Sequence, residues 1–184
     1  MAHKELDLYL AKVQATNGTP EAALINTDFA CVGSDATFKP SFDFQDVDYA
    51  TGTFGQEQGV RGKARVDQTF SFPLIPTASA TEPKAGIWLK ASGMEVTTAT
   101  NLHTYAPTST PANWKQLTVW KYSGNKATGA SLLTKSGNSM YNLKLSGKIG
   151  EALMAEFTGQ GILVATPAAA SYEASGAFTI PSLA

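Results

Sequence analysis

The chain has 184 residues, of which 43% are hydrophobic and 16% are charged, and its formal net charge is −1. A chain of this length forms one domain with a real core and is too short for two full-sized domains. A net charge near zero argues against nucleic acid or an anionic membrane as an electrostatically attracted partner. The single cysteine, Cys31, excludes an intramolecular disulfide and is expected to be a buried strand residue.

No apolar run reaches the length of about 20 residues that crosses a bilayer. The N-terminal sequence MAHKELDLYL also lacks a basic region followed by an uninterrupted apolar one. We therefore expect a chain that is made in a cytoplasm and is not exported by a classical signal.

The N-terminal third reads as strands and turns. Leu6–Val13 alternates apolar and polar residues, which predicts a strand, although a helical spacing of its leucines leaves a helix open. The sequence NGTP at Asn17–Pro20 then predicts a turn. Ala23–Gly33 follows as one long strand or a pair of strands.

A long hairpin is predicted next. Ala36–Tyr49 alternates phenylalanines with polar residues, and Pro40 within it favours an edge strand. Ala50–Gly59 is rich in glycine and polar residues, which predicts a protruding loop, and Val60–Ile75 returns as a long strand. The two arms carry opposite charges: Asp43, Asp46 and Asp48 before the loop, and Arg61, Lys63 and Arg65, spaced by two and so expected on one face, after it.

Two interpretations of these charges stay open. They form a cross-strand ladder within one hairpin, or the basic and acidic faces meet between subunits.

The one clear helix signal covers Thr81–Gly93. Thr81 suits the N-cap, Pro83 suits the first turn, and Gly93 suits the C′ position. Ile87, Ala91 and Met94 form an apolar stripe that Trp88 and Leu89 widen, so one face of this helix should pack against a sheet.

After a strand and a loop rich in Pro, Thr and Ser, the segment Lys115–Ala165 reads as a β-meander. Turn chemistry places its turns at Ser123–Asn125, Ser136–Ser139 and Gly147–Glu151. In the first of its strands, Leu117 and Val119 should face one side and Trp120 the other. Between Glu95 and Glu151 every charged residue is a lysine, which favours either solvated edge lysines or a basic docking surface.

No pattern typical of an active site is present. The two histidines, His3 and His103, have no spacing typical of zinc ligands, and no nucleotide-binding glycine motif lies in a βαβ context. We expect neither an enzyme nor a bound cofactor or metal. Trp114 and Trp120 could form a sugar-binding platform, but core packing is the more common role of such residues.

Four segments in collinear order resemble the tail tube (major tail) proteins of long-tailed bacteriophages. They are LYLAKVQATNGTPEAA, similar to an opening strand and turn; FKPSFDFQDVDYATGTFGQEQGVRGKARVDQTFSFPL, similar to a long hairpin; TEPKAGIWLKASGM, similar to the single helix; and WKQLTVWKYSGN followed by MAEFTGQGILV, similar to the closing strands. The sequence departs from the family in Asn17, which replaces an aromatic residue, and in the less regular turn of ATGASLLTKSGNSM.

The resemblance implies a mainly β fold, a β-sandwich or barrel-like tail tube domain over residues 1–184 with one flanking helix. It also implies a virion protein, assembled in the host cytoplasm, whose hexameric rings stack around a lumen through which DNA passes without specific binding. The implied partners are other copies of the chain, a tape measure protein in the lumen, a terminator and a distal tail protein, with no membrane and no cofactor.

Three segments are expected outside the packed domain: an N-terminal arm at 1–12, the loop at 50–59 and a C-terminal tail at about 166–184. The candidate contacts between subunits and rings lie in the arm and in the charged hairpin with its loop: Lys4, Leu6, Asp43, Asp46, Asp48, Thr51, Phe54, Gln56, Glu57, Arg61, Lys63 and Arg65. Arm and loop should order only on assembly. The alternatives are a monomeric β-sandwich binding module, either an adhesin or a carbohydrate-binding domain, and a related terminator or adaptor ring.

Overall fold

The computed structural model describes residues 7–21, 35–45, 60–74, 82–100, 102–125 and 130–170. Within these residues the chain forms eight strands, one short α-helix and one turn of 3-10 helix at Pro111–Asn113. They are β1 (Leu8–Val13), β2 (Thr37–Gln45), β3 (Val60–Pro73), α1 (Gly86–Ala91), β4 (Met94–Ala99), β5 (Leu102–Pro107), β6 (Leu117–Asn125), β7 (Ala130–Ser146) and β8 (Met154–Ala170). The fold is mainly β with one helix, as the sequence predicts.

Six strands form one antiparallel sheet in the order β1-β6-β7-β8-β3-β2, and β4 pairs with β5 in a separate two-stranded ribbon. β2 lies at one end of the large sheet. This position agrees with Pro40, because proline has no backbone N–H to donate to a neighbouring strand. The strands β7 and β8, of 17 residues each, form the long central hairpin.

The large sheet is open but strongly curled. A flat sheet of six strands would separate its two end strands by about 24 Å. Instead, the ring of Tyr9 on β1 lies 6.4 Å from the ring of Phe38 on β2, centroid to centroid. Both side chains are buried. The two ends of the sheet therefore bend toward each other around one core.

Aromatic side chains fill that core, and the helix closes it. Trp88 of α1 is 1% exposed. Its ring centroid lies 4.7 Å from that of Phe70 and 5.2 Å from that of Tyr141. The ring centroids of Phe157 and Phe72 lie 6.0 and 6.2 Å from that of Trp88, so four aromatic rings surround this side chain. A helix of six residues is marginal alone, so its packing against these rings stabilises it.

The end of the helix is as predicted and its start is not. Gly93 follows the C-cap Ser92 with a φ of 80°, the left-handed conformation that ends a helix. The helix begins at Gly86, because Pro83–Ala85 form a turn, and its N-cap is Ala85 without a side-chain cap. Thr81, the expected N-cap, lies outside the described residues.

A buried polar cluster joins β3 to an irregular part of β7. Gln68 donates to the hydroxyl of Ser136 at 2.7 Å and of Ser139 at 3.1 Å, and Tyr141 donates to the Gln68 carbonyl oxygen. The pairing register shifts between Gly137 and Met140, and Asn138 has a φ of 56°. The sequence SGNS therefore forms a bulge within β7, and the turn predicted there is wrong.

The strand predicted over Leu6–Val13 is confirmed as β1, which pairs with β6 through its whole length and buries Tyr9–Ala11. Residues 166–170 continue β8 opposite β7. Ser123–Asn125 end β6 as strand residues, so the turn predicted there is wrong, whereas Gly147–Glu151 do form the turn between β7 and β8.

Candidate functional site

The β2–β3 hairpin carries the charged residues that the sequence singles out. Its register pairs Ser41 with Arg65 and Phe44 with Arg61, and it slips between Phe42 and Phe44. The expectation that Arg61, Lys63 and Arg65 share one face assumed a regular strand, and this register shift interrupts that regularity. The hairpin itself is confirmed, and it projects its charges along one end of the sheet.

One ion pair is formed within this hairpin. The guanidinium of Arg65 lies 3.2 Å from the carboxylate of Asp43, and both side chains are about half exposed. An exposed pair of this kind contributes about 0 to 1 kcal/mol. The cross-strand alternative is therefore correct for Asp43 and Arg65, and the pair contributes little to folding.

Lys63 is exposed on β3, two residues from Arg65. Among the described acids, no ion pair to Lys63 is formed. The other residues expected at contacts lie outside the described residues, or, for Arg61, only the backbone is described: Lys4, Leu6, Asp46, Asp48, Thr51, Phe54, Gln56 and Glu57. Cys31 also lies outside them.

Three of the five described lysines of the basic stretch are engaged locally. Lys121 pairs with Asp7 at 2.9 Å and Lys144 with Glu156 at 3.3 Å. Lys135 donates to the backbone carbonyl of Glu21 and lies 4.9 Å from the ring of Trp120. These contacts leave a smaller basic surface than the sequence alone indicates.

A second candidate surface was missed by sequence reasoning. The tip of the β7–β8 hairpin exposes four large apolar side chains: Leu145, Ile149, Leu153 and Met154. Ile149 stands in the turn itself and is fully exposed. The available signal was an isoleucine inside the turn sequence GKIGE, since turns usually carry polar residues. A cluster of exposed apolar residues is typical of an interaction surface.

Trp114 and Trp120, the two residues considered for a sugar-binding platform, do not form one. Trp120 is 3% exposed, whereas Trp114 is 39% exposed and donates through its indole N–H to the Thr108 carbonyl at 3.1 Å. Only one of the two rings is at the surface.

Within the described residues, no group of three or more histidine, cysteine or carboxylate side chains could hold a metal ion. Among the described residues, no helix is long and apolar enough to span a membrane.

The comparisons with known proteins give a likeness in fold. No protein-family model and no curated protein matches the sequence. A solved structure of the SPP1 tail tube, determined by solid-state NMR and cryo-EM, is similar with a TM-score of 0.50 and 10% sequence identity. The similar region covers 90% of this chain and 78% of that chain.

Proposed function

We propose that this chain is the subunit of a phage tail tube, whose hexameric rings stack around a lumen that conducts DNA. The observation that carries the proposal is the fold likeness to a solved tail tube, which extends over 90% of the chain. The collinear sequence resemblance supports the same class independently of the coordinates. The proposed role is structural and needs no catalytic group.

The open sheet is suited to this role. Within the described residues, β1 pairs only with β6 and β2 only with β3, so each end strand has one edge that pairs with no described strand. One surface that binds a different surface on the next copy is a heterologous contact, and such contacts close into rings when the rotation permits. Rings that stack by a second contact give a tube.

The charge of the chain also supports a conduit for DNA. A net charge of −1, with five of the described lysines engaged by acids or a carbonyl group, gives little non-specific attraction for phosphates. A lumen that conducts DNA must attract the DNA phosphates only weakly, so that the DNA can pass. The proposed partners are other copies of this chain, a tape measure protein in the lumen, a terminator and a distal tail protein, in a virion assembled in the host cytoplasm.

The direct test is negative-stain electron microscopy of the purified protein at high concentration, with size-exclusion chromatography of the same sample. We expect hollow tubes or six-fold rings. Rings that never stack would favour a terminator or adaptor ring instead. A strict monomer at every concentration that binds a glycan would overturn the proposal in favour of a binding module.

The hairpin loop provides a sharper test. Deletion of residues 50–59 should leave a folded monomer that does not polymerise. A length-preserving variant with Thr51, Phe54, Gln56 and Glu57 replaced by serine separates loss of side chains from loss of length. Unimpaired tubes from both variants would refute the role of the loop.

Lys63 tests the charged arm of the hairpin. Lys63→Glu should reduce tube formation while leaving the unfolding midpoint unchanged, because the side chain is exposed and has no described acid as an ion-pair partner. Lys115→Glu, which changes another exposed lysine outside the hairpin, is the matched control. Equal behaviour of the two variants would exclude Lys63 from the contact.

A further inference from the structure

The β4–β5 ribbon packs on the hydrophobic core through two described side chains, Met94 of β4 and Tyr105 of β5. It consists of β4 and β5, paired only with each other, and most of its residues are exposed. The half-buried exceptions are Met94, Val96, His103 and Tyr105. Because a two-stranded ribbon alone is marginally stable in water, something beyond its ladder must hold it in place.

Two hydrogen bonds anchor the base of the ribbon on one side. Thr108 donates its backbone N–H to the Gly93 carbonyl at 3.0 Å, and the side-chain amide of Asn113 donates to the carboxylate of Glu95 at 3.0 Å. The first bond joins the two ends of the ribbon, and the second joins β4 to the segment that follows β5. They do not connect the ribbon to the helix or to the large sheet.

One carboxylate adds a polar connection to the apolar contacts that Met94 and Tyr105 make with the core. Glu82 lies before the helix and accepts from Lys90 of α1 at 2.7 Å and from the hydroxyl of Tyr105 of β5 at 2.9 Å. Lys90 is two residues from Trp88, which is buried in the core. The group Glu82–Lys90–Tyr105 therefore links the ribbon to the helix by hydrogen bonds, which have directional requirements that apolar packing lacks.

Gly86 provides the space for this contact. A methyl group at Gly86 would overlap both the Tyr105 hydroxyl and the Glu82 carboxylate. Both are ends of flexible side chains, so an alanine would push them away and leave the helix in place. Glycine within a helix costs up to about 1 kcal/mol of stability relative to alanine. The space that Gly86 leaves for Tyr105 and Glu82 explains why a glycine stands there despite this cost.

We propose that Glu82 is a latch that fixes the β4–β5 ribbon in one orientation on the helix, and that its release lets the ribbon move about Gly93 and Thr108. The latch holds the ribbon by charge-assisted hydrogen bonds that are partly shielded from water. This is a property of the free subunit. Its consequence for assembly rests on the proposed function: a ribbon with a fixed orientation presents the same surface on every copy in a ring.

The test is amide hydrogen exchange measured by mass spectrometry on the full chain, as wild type and as Glu82→Gln, Tyr105→Phe and Gly86→Ala. We expect exchange of residues 94–107 to accelerate about 10-fold or more in each variant, since a hydrogen bond to a charged group is lost. Exchange in β3 and β8 should stay unchanged. Glu156→Gln, which removes the carboxylate of the exposed Lys144 pair, is the control and should leave the ribbon unaffected.

Gly86→Ala is the discriminating variant, because it removes no latch group and should not lower global stability. Unchanged ribbon exchange in Gly86→Ala and Glu82→Gln would refute the latch. Equal acceleration in the ribbon and in β8 would also refute it, because Glu82 would then support the whole core. Since exchange is measured on the free subunit, failure of the wild type to form tubes would count against the proposed function and leave the latch intact.

Discussion

Trp88→Ala is the substitution expected to cost the most, because this is the largest helix side chain in the core and its ring contacts four other aromatic rings. Burial of a tryptophan removes about 200 Å² from water, which at about 25 cal/mol/Å² gives about 5 kcal/mol. The compactness of unfolded chains lowers this to about 3 to 4 kcal/mol. The cavity among Phe70, Tyr141 and Phe157 adds to it, so we expect a loss of about 4 kcal/mol.

The assay is guanidinium unfolding followed by far-ultraviolet circular dichroism, which does not depend on tryptophan emission. With a slope of about 4 kcal/mol per molar, the midpoint should fall by about 1 M. Trp114→Ala is the matched control: its ring is 39% exposed, and its removal should cost about 1 kcal/mol. A loss below about 1.5 kcal/mol for Trp88→Ala would refute the view that the helix is held by this ring.

Three further predictions concern the large sheet and four tyrosines. Gly159→Ala should destabilise by about 2 to 3 kcal/mol in the same assay, because its methyl group would overlap a backbone carbonyl of β7 that cannot swing away; an unchanged midpoint would contradict this close approach. Arg65→Ala should cost less than about 1 kcal/mol, and a loss above 2 kcal/mol would mean that the pair with Asp43 is more than a surface contact. Burial raises the pKa of four tyrosines: Tyr9, Tyr105, Tyr122 and Tyr141. The pKa of Tyr9 rises to about 12. Because the folded state binds these protons more tightly, stability should be full below about pH 10 and fall as the pH rises further; a flat midpoint from pH 9 to 11.5 would contradict it.

The sequence predicts best where structure depends on local chemistry. Gly93 ends the helix because a left-handed residue is needed there, and Pro40 lies in an end strand because it lacks an N–H. The strands of the β2–β3 hairpin follow from alternation on both sides of one loop. Each of these signals lies within a few residues of the feature that it predicts.

Turn chemistry at Ser136–Ser139 was misleading because a turn and a bulge use the same residues. Both need a residue that tolerates a positive φ, and Asn138 provides it. The difference lies in Gln68, which comes from another strand and bonds to both serines. No local pattern contains that information.

The burial of β6 also depends on distant residues. Alternation places Leu117 and Val119 on one face and Trp120 on the other, but it does not tell that both faces are buried, as Thr118, Val119 and Trp120 are. The second face is covered by the segment that follows β1: Gln14 donates to the Thr118 hydroxyl at 3.1 Å, and the backbone N–H of Glu21 donates to it at 3.0 Å. Contacts across about 100 residues of sequence decide this burial.

The buried polar cluster gives the sheet a single register. A sheet held only by apolar contacts tolerates a slip of two residues, since such a slip keeps each side chain on its face. After such a slip of β3 along its neighbour β8, Gln68 would lose both serine hydroxyls of β7 and Tyr141 would lose its acceptor, each at the cost of an unsatisfied buried group. The same sheet curves so that Tyr9 of β1 meets Phe38 of β2. In the proposed tube every ring repeats that curvature, so a polar cluster that permits only one register favours identical subunits.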